Sequence, residues 1–228
     1  MPRQVGEAIG QMLPSAVGVA ISPLPIVAVV LMLVTARGRV NGPAFLLGWW
    51  VGIAIVGTIV LVVAKGPGAT DEGEPKTWVF WLELILGVLL LLVALKQWRG
   101  RPQGDAEPEM PKWMQALDSF SPPKAAGAGV LLSGLNPKNL LLTVAGATAI
   151  AQTGIPGSDQ AVALVVFIVI ASLGVAAPIV IFFALGDRAG PLLDRLKNWL
   201  GENNAVIMAV LMVIIGVKLI GDAISGLF

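Results

Sequence analysis

The chain reads as six apolar runs separated by polar connections, at about 8–34, 43–64, 77–95, 125–151, 160–185 and 204–224. Each is long enough to cross a hydrocarbon core of about 30 Å as a helix rising about 1.5 Å per residue. The second run carries Ala44, Gly48, Gly52 and Gly57 among bulky residues. Small residues at that spacing let a neighbouring helix approach closely, within the chain or in a second copy. Pro43 reads as a first helical residue, and Pro178 predicts a kink in the fifth run. Trp78 and Trp81 open the third run and Trp98 follows it, the placement of two interfacial aromatic belts.

Two runs are interrupted. Ser22-Pro23-Leu24-Pro25 divides the first and Asn136-Pro137-Lys138-Asn139 divides the fourth, each about 20 Å from the start of its run. Ser and Asn are good N-caps, and proline suits the first helical position, where its missing N–H costs nothing. Each interruption therefore predicts a broken helix with a new N-terminus at membrane depth. Free backbone groups there must be met by protein or by a water-filled cavity.

The connections sort by charge. Those after the odd runs hold Arg37 and Arg39, then Lys96, Arg99, Arg101, Lys112 and Lys124, then Arg188, Arg195 and Lys197, whereas the others and the termini hold Arg3, Lys65 and Lys76. The positive-inside rule then places the odd connections in the cytoplasm and both termini outside. The longest connection divides the chain into a first three-helix repeat (1–96), a cytoplasmic linker (97–124) and a second three-helix repeat (125–228). Three spans per half require opposite topologies, an inverted repeat. Ile85-Leu86-Gly87-Val88 in the third run matches Ile214-Ile215-Gly216-Val217 in the sixth, as the two interruptions match each other. Trp113, Leu117 and Phe120, and Leu192, Leu193, Leu196, Trp199 and Leu200, fall on single faces at helical spacing. They predict two short cytoplasmic helices, lying in the membrane interface or serving as amphipathic connectors on the bundle.

Composition narrows the class. Hydrophobic residues make up 56% of the chain and charged residues 13%, with a mean hydropathy of +0.85, so an all-α polytopic membrane protein is expected. Residues 1–11 lack a basic region followed by a short apolar core, so no cleaved leader is expected. Cysteine and histidine are absent. That removes disulfides, thiolate and imidazole metal sites and histidine catalysis. No paired carboxylates supply an alternative, so no enzyme, no metal, no cofactor and no nucleic-acid partner is expected.

The charges inside the runs carry the candidate chemistry. A lysine at membrane depth costs several kcal/mol on the insertion scale, so Lys138 needs a reason. Either it caps carbonyls freed by the break, or it forms an anion site with the two half-helix N-termini, whose dipoles favour negative charge. On the second reading the substrate-binding residues are Ser22, Pro23, Pro25, Asn136, Pro137, Lys138 and Asn139, with Thr35, Ser133 and Thr143 as neutral hydrogen-bonding groups. Glu83 and Lys218 lie in the outer halves of their runs and can form a static ion pair, or Lys218 can meet Asp222 one turn on. Alternatively Glu83 is a protonatable coupling group.

Six runs with Pro23-Leu24-Pro25 in the first, Asn136-Pro137-Lys138 in the fourth and a long basic loop between halves resemble the lysine-exporter (LysE) superfamily. The fuller strings Ile21 to Ile26 and Gly134 to Asn139 are most similar to its GAP branch, the glycolipid- or sulfolipid-addressing membrane proteins of actinobacteria. The resemblance implies a 3+3 inverted repeat in the bacterial inner membrane that exports or flips a cell-envelope lipid or glycolipid with a polar or anionic head. It also implies contact with envelope-lipid synthesis or export machinery, and it is compatible with a homo-oligomer. Amino-acid exporters of the superfamily have Pro-Gly-Pro where this chain has Pro23-Leu24-Pro25, the thiol-redox relatives need cysteines, and the cation exporters use acid-rich motifs not matched here. Two other functions stay open: proton-coupled export of a small amino-acid-like or amphiphilic substrate, and a non-transporting scaffold for envelope-lipid assembly.

Overall fold

The structure is a computed structural model and describes residues 2–65, 77–100 and 119–227. The described residues form eight α-helices. They are α1 (Pro2–Ala20), α2 (Pro23–Leu33), α3 (Gly38–Lys65), α4 (Thr77–Arg99), α5 (Pro122–Gly134), α6 (Pro137–Gln152), α7 (Gly157–Leu185) and α8 (Gly190–Leu227), with a 3₁₀ turn at Gly186–Ala189 between the last two. By length and apolarity α3, α4, α7 and α8 can each cross a membrane, and α1 with α2, bent by 49° at their junction, together meet the same test as one broken span or a re-entrant pair. This is a multi-pass membrane protein. Leu47, Val51, Ile55, Ile59 and Val62 on α3 and Val162, Val165, Val169 and Leu173 on α7 form exposed apolar stripes. In water such stripes would be aggregation sites; here they face lipid.

The α5–α6 pair falls short of the apolarity of the other spans, because Gly127, Gly129, Asn136, Lys138 and Asn139 dilute it. It nevertheless runs the length of α3. Asn41 Nδ2 near the start of α3 donates to the Phe120 carbonyl just before α5, at 2.9 Å. At the other end, Gly157 and Gln160 of α7 share a small groove with Thr58 and Leu61 of α3.

Helix directions follow from close contacts. Gly48 lies against the Ala126 backbone and Gly52 against Val130 and Ser133, so α3 and α5 run parallel. Gly57 meets Leu164 and Gly42 meets Ile179, so α3 and α7 run antiparallel. Gly87 meets Gly216 and Ile220 while Gly226 meets Phe80, so α4 and α8 are antiparallel. The glycine face of α3 thus makes a contact within the chain, as small residues do where hydrocarbon offers helices no hydrophobic incentive to associate. Further pairings come in matched sets: α3 on α5 and α7 on α1, α3 on α6 and α7 on α2, α2 on α8 and α6 on α4.

Inside, α2 is buried almost all round, as an apolar helix without a polar face must be. It follows α1, whose Ala8, Met12, Ala16 and Val19 form one buried face. Phe45 and Trp49 stack at 6.2 Å between ring centroids and are both fully buried.

Three expectations change. Helix α3 begins five residues before Pro43, so that proline sits in the second turn rather than opening the helix. Pro178, where a kink is expected, lies inside the single helix α7, and its i−4 residue, Gly174, packs on the Ala20 carbonyl of α1. The separate interfacial helix expected near 191–200 does not exist, because those residues are the first turns of the 38-residue α8. Gly201 alone costs about 1 kcal/mol in a helix. Burial of Leu193 and Leu200, and a bond from Asn203 Nδ2 to the Trp199 carbonyl at 2.8 Å, carry the helix through it. Leu192 and Trp199, expected on the same face as those leucines, are exposed. The linker helix expected at 111–120 lies outside the described residues except for Ser119 and Phe120.

A side chain at Gly48 has no room beside the Ala126 backbone, whereas Gly127 faces open space. Gly48→Ala is expected to destabilise the fold by about 1–3 kcal/mol and Gly127→Ala, inside α5 with open space beside it, to stabilise it by up to about 1 kcal/mol, read as thermal unfolding in detergent.

Candidate functional site

The α5–α6 break is built by its own sequence. Asn136 precedes proline and is therefore held in extended backbone, φ −65° and ψ 120°, which ends one helix and opens the next. Its side-chain oxygen accepts from the Lys138 backbone N–H at 3.1 Å, an N-cap. At the end of α5 the Leu131 carbonyl accepts from the N–H groups of Leu135 and Asn136. Asn139 Nδ2 reaches back across the break to the Leu132 carbonyl at 2.8 Å. The amide group of Asn139, fully buried, is thus committed to the backbone, and only its Oδ1 stays unpartnered.

Lys138 is half-buried, and the described ion pairs, Asp194–Lys197 and Lys218–Asp222, do not include it. Among the described residues its ammonium bonds no carbonyl. The Leu131 and Leu132 carbonyls freed at the break are met instead by the backbone N–H groups of Leu135 and Asn136 and by the Asn139 amide.

The α1–α2 break has the same backbone, with Ser22 at φ −66° and ψ 112°, but different chemistry. The Ser22 side chain caps nothing. Pro23 and Pro25 instead delete two of the donors that a helix N-terminus leaves free, so α2 offers an anion fewer N–H groups than its dipole alone implies. Ser22, Pro23 and Pro25 are buried. The two breaks lie near one contact: a side chain at Gly18, four residues before Ser22, would touch Leu142, five residues beyond Pro137. Of the neutral candidates, the Thr35 and Ser133 hydroxyls bond carbonyls of their own segments, Met32 and Val130. The Thr143 hydroxyl is buried without a partner, one turn from Asn139.

A second polar group sits where α4, α6 and α8 meet. Glu83 is fully buried, and neither carboxyl oxygen has a partner. Of the partners open to Lys218, the structure supplies Asp222, one turn on along α8, in a short ionic contact. Both lie within electrostatic reach of Glu83. Beside that carboxyl stands Gln152, the last residue of α6. The geometry falls outside that of a formed bond, since Gln152 Nε2 is also buried without a partner. Gln152 escapes sequence reading, because one glutamine ending an apolar run carries no pattern.

The family of Sap, sulfolipid-1-addressing proteins (SfLAP) matches residues 12–225. The chain belongs to the SfLAP family. Both breaks, Lys138 and the α4–α8 seam all lie inside the SfLAP region. No curated protein and no solved structure matches the chain. Family membership associates the protein with lipid addressing in a membrane, in agreement with its helices.

The two polar side chains at the α6 break separate by role. Asn139→Leu leaves the Leu132 carbonyl unpaired and is expected to cost about 1–3 kcal/mol, whereas Lys138→Gln should not lower stability. Thermal unfolding of both variants in detergent checks this.

Proposed function

We propose that this SfLAP protein exports or flips a cell-envelope lipid or glycolipid with an anionic head group across the bacterial inner membrane. The head group is held at the α5–α6 break while its acyl chains stay in the surrounding lipid. The observation that carries this reading is Lys138: a half-buried cation at a helix break, in none of the described ion pairs, beside carbonyls that the Leu135 and Asn136 N–H groups and the Asn139 amide already meet. Retaining an unpaired cation at that depth costs stability and is accounted for by a ligand of opposite charge. The positive end of the α6 dipole adds to the attraction. The description of the family names a sulfolipid, and a sulfur-bearing anionic head fits an ammonium at a helix N-terminus.

The wider architecture in this proposal is a six-span 3+3 inverted repeat of the LysE-superfamily type, with both termini outside. Three observations support it. The α5–α6 pair follows α3 from end to end. The helix pairings occur in the matched sets that a two-fold relation between halves generates. The similar strings of the third and sixth runs meet at Gly87 and Gly216, where a Cβ on either would lie 2.8 Å or 3.0 Å from the other's carbonyl oxygen. Binding near a repeat interface beside discontinuous helices is how such transporters hold substrate. The protein carries no reaction of its own in this reading and works beside envelope-lipid synthesis or export machinery.

Native mass spectrometry after gentle extraction into nanodiscs tests the site. Wild type is expected to retain an anionic lipid or glycolipid, and Lys138→Gln to lose it while staying folded. Equal retention by both, or by neither, removes Lys138 as a head-group site and leaves the small-substrate exporter or the scaffold.

A further inference from the structure

The lipid reading uses Lys138 and leaves Glu83 without a task, although an uncompensated carboxylate in a membrane interior is among the costliest groups a fold can keep. The charges around it do not balance. Helix α8 brings one ammonium and one carboxylate, Lys218 and Asp222, already in contact with each other. Helix α6 brings the neutral Gln152, and α4 brings Glu83. Among the described residues no other charged group faces Glu83 from these elements, so two carboxylates share one ammonium. The Lys218 and Asp222 side chains are 31% and 40% exposed, whereas Glu83 is wholly enclosed. The missing positive charge therefore belongs at the enclosed carboxyl, and the smallest cation that a fully buried carboxyl can take up is a proton.

We propose that Glu83 is a proton-binding site and that its proton controls how the Gln152 end of α6 is seated. A proton from water at the Thr77 end of α4, about 9 Å away along the helix, binds one carboxylate oxygen as an O–H bond forms. Release reverses the step, and no other bond changes. The ionised carboxyl only accepts hydrogen bonds, so it draws the Gln152 amide nitrogen; the protonated one donates, so it draws the amide oxygen. The amide must turn over between these states, and in the structure Nε2 and both carboxyl oxygens are buried without a hydrogen-bond partner. Helix α6 is a single rod with Gln152 at one end and Lys138 at the other, about 21 Å apart. Lys138, Leu141, Ala145, Thr148 and Gln152 share one face of it by spacing, and the Thr148 hydroxyl there is also buried without a partner. Reseating one end of the rod moves the other. The consequence for head-group binding rests on the lipid reading above; the proton site does not.

The test is pH-difference infrared spectroscopy of the full chain in nanodiscs, with no substrate added. As pH is lowered, wild type is expected to gain a protonated-carboxyl C=O band that shifts when the protein is labelled with ¹³C-glutamate and is missing in Glu83→Gln. Gln152→Leu is expected to keep the band but displace its midpoint by about one pH unit, the effect of one hydrogen bond to a charged group. A wild type with no band, a band insensitive to glutamate labelling, or one that survives in Glu83→Gln overturns the site. An unchanged midpoint in Gln152→Leu overturns the link to α6. Isotope labelling assigns the band to a glutamate without any substitution, and the midpoint displacement in Gln152→Leu ties it to Glu83 even where Glu83→Gln fails to fold. Because no lipid enters the measurement, its failure is distinct from loss of lipid retention by Lys138→Gln.

Discussion

Hydrocarbon supplies no hydrogen bonds, so a helix that stops inside a membrane must find partners for its backbone within the protein. This chain breaks its helices at two prolines, Pro23 and Pro137, and deals with the freed backbone groups in two ways. At α5–α6 it adds partners: Asn136 caps the new helix and Asn139 returns to the old one. At α1–α2 it removes the demand, since Pro23 and Pro25 have no N–H to satisfy. Much of the remaining packing encloses these two places, with α2 buried on nearly every side and the glycine face of α3 drawn onto the α5 backbone.

Much of this was legible in the sequence because it is set by local chemistry. A residue before proline avoids helical backbone whatever surrounds it, so Ser22 and Asn136 marked both breaks, and Ser121 begins α5 in the same way. Glycine spacing on the second run marked a close contact, and the exposed Trp78, Trp81 and Trp98 lie where interfacial belts would put them. Where the sequence misled, tertiary packing outweighed a local signal. Pro43 was tolerated within the early turns of α3, and Gly201 and the polar residues after it did not interrupt α8 because Leu193 and Leu200 before them and Ala205 and Met208 after them are buried.

The candidate site was legible only in part, for a different reason. Which residues are polar and where the helix breaks can be read along the chain, but which polar group spends itself on the backbone cannot. Asn139 and Lys138 looked equally available for a ligand, and one bond to the Leu132 carbonyl separates them. Likewise Lys218 had two acidic partners within reach by spacing, and only the arrangement of α4 against α8 leaves Glu83 without it. Gln152 matters through a neighbour contributed by a helix some seventy residues earlier in the chain, and no periodicity encodes that.

Helix α8 has 38 residues and is about 57 Å long, against a hydrocarbon core of about 30 Å. Even steeply tilted, it stands well clear of the apolar layer. The Asp194–Lys197 pair at one end and the Lys218–Asp222 pair near the other belong to one uninterrupted rod. An α-helix is stiff in bending and torsion over that length, so torque applied by anything gripping the first turns is delivered, undiminished by any hinge, to the seam where Gly216 meets Gly87. One continuous helix thus joins the charged first turns of α8 to the seam with α4.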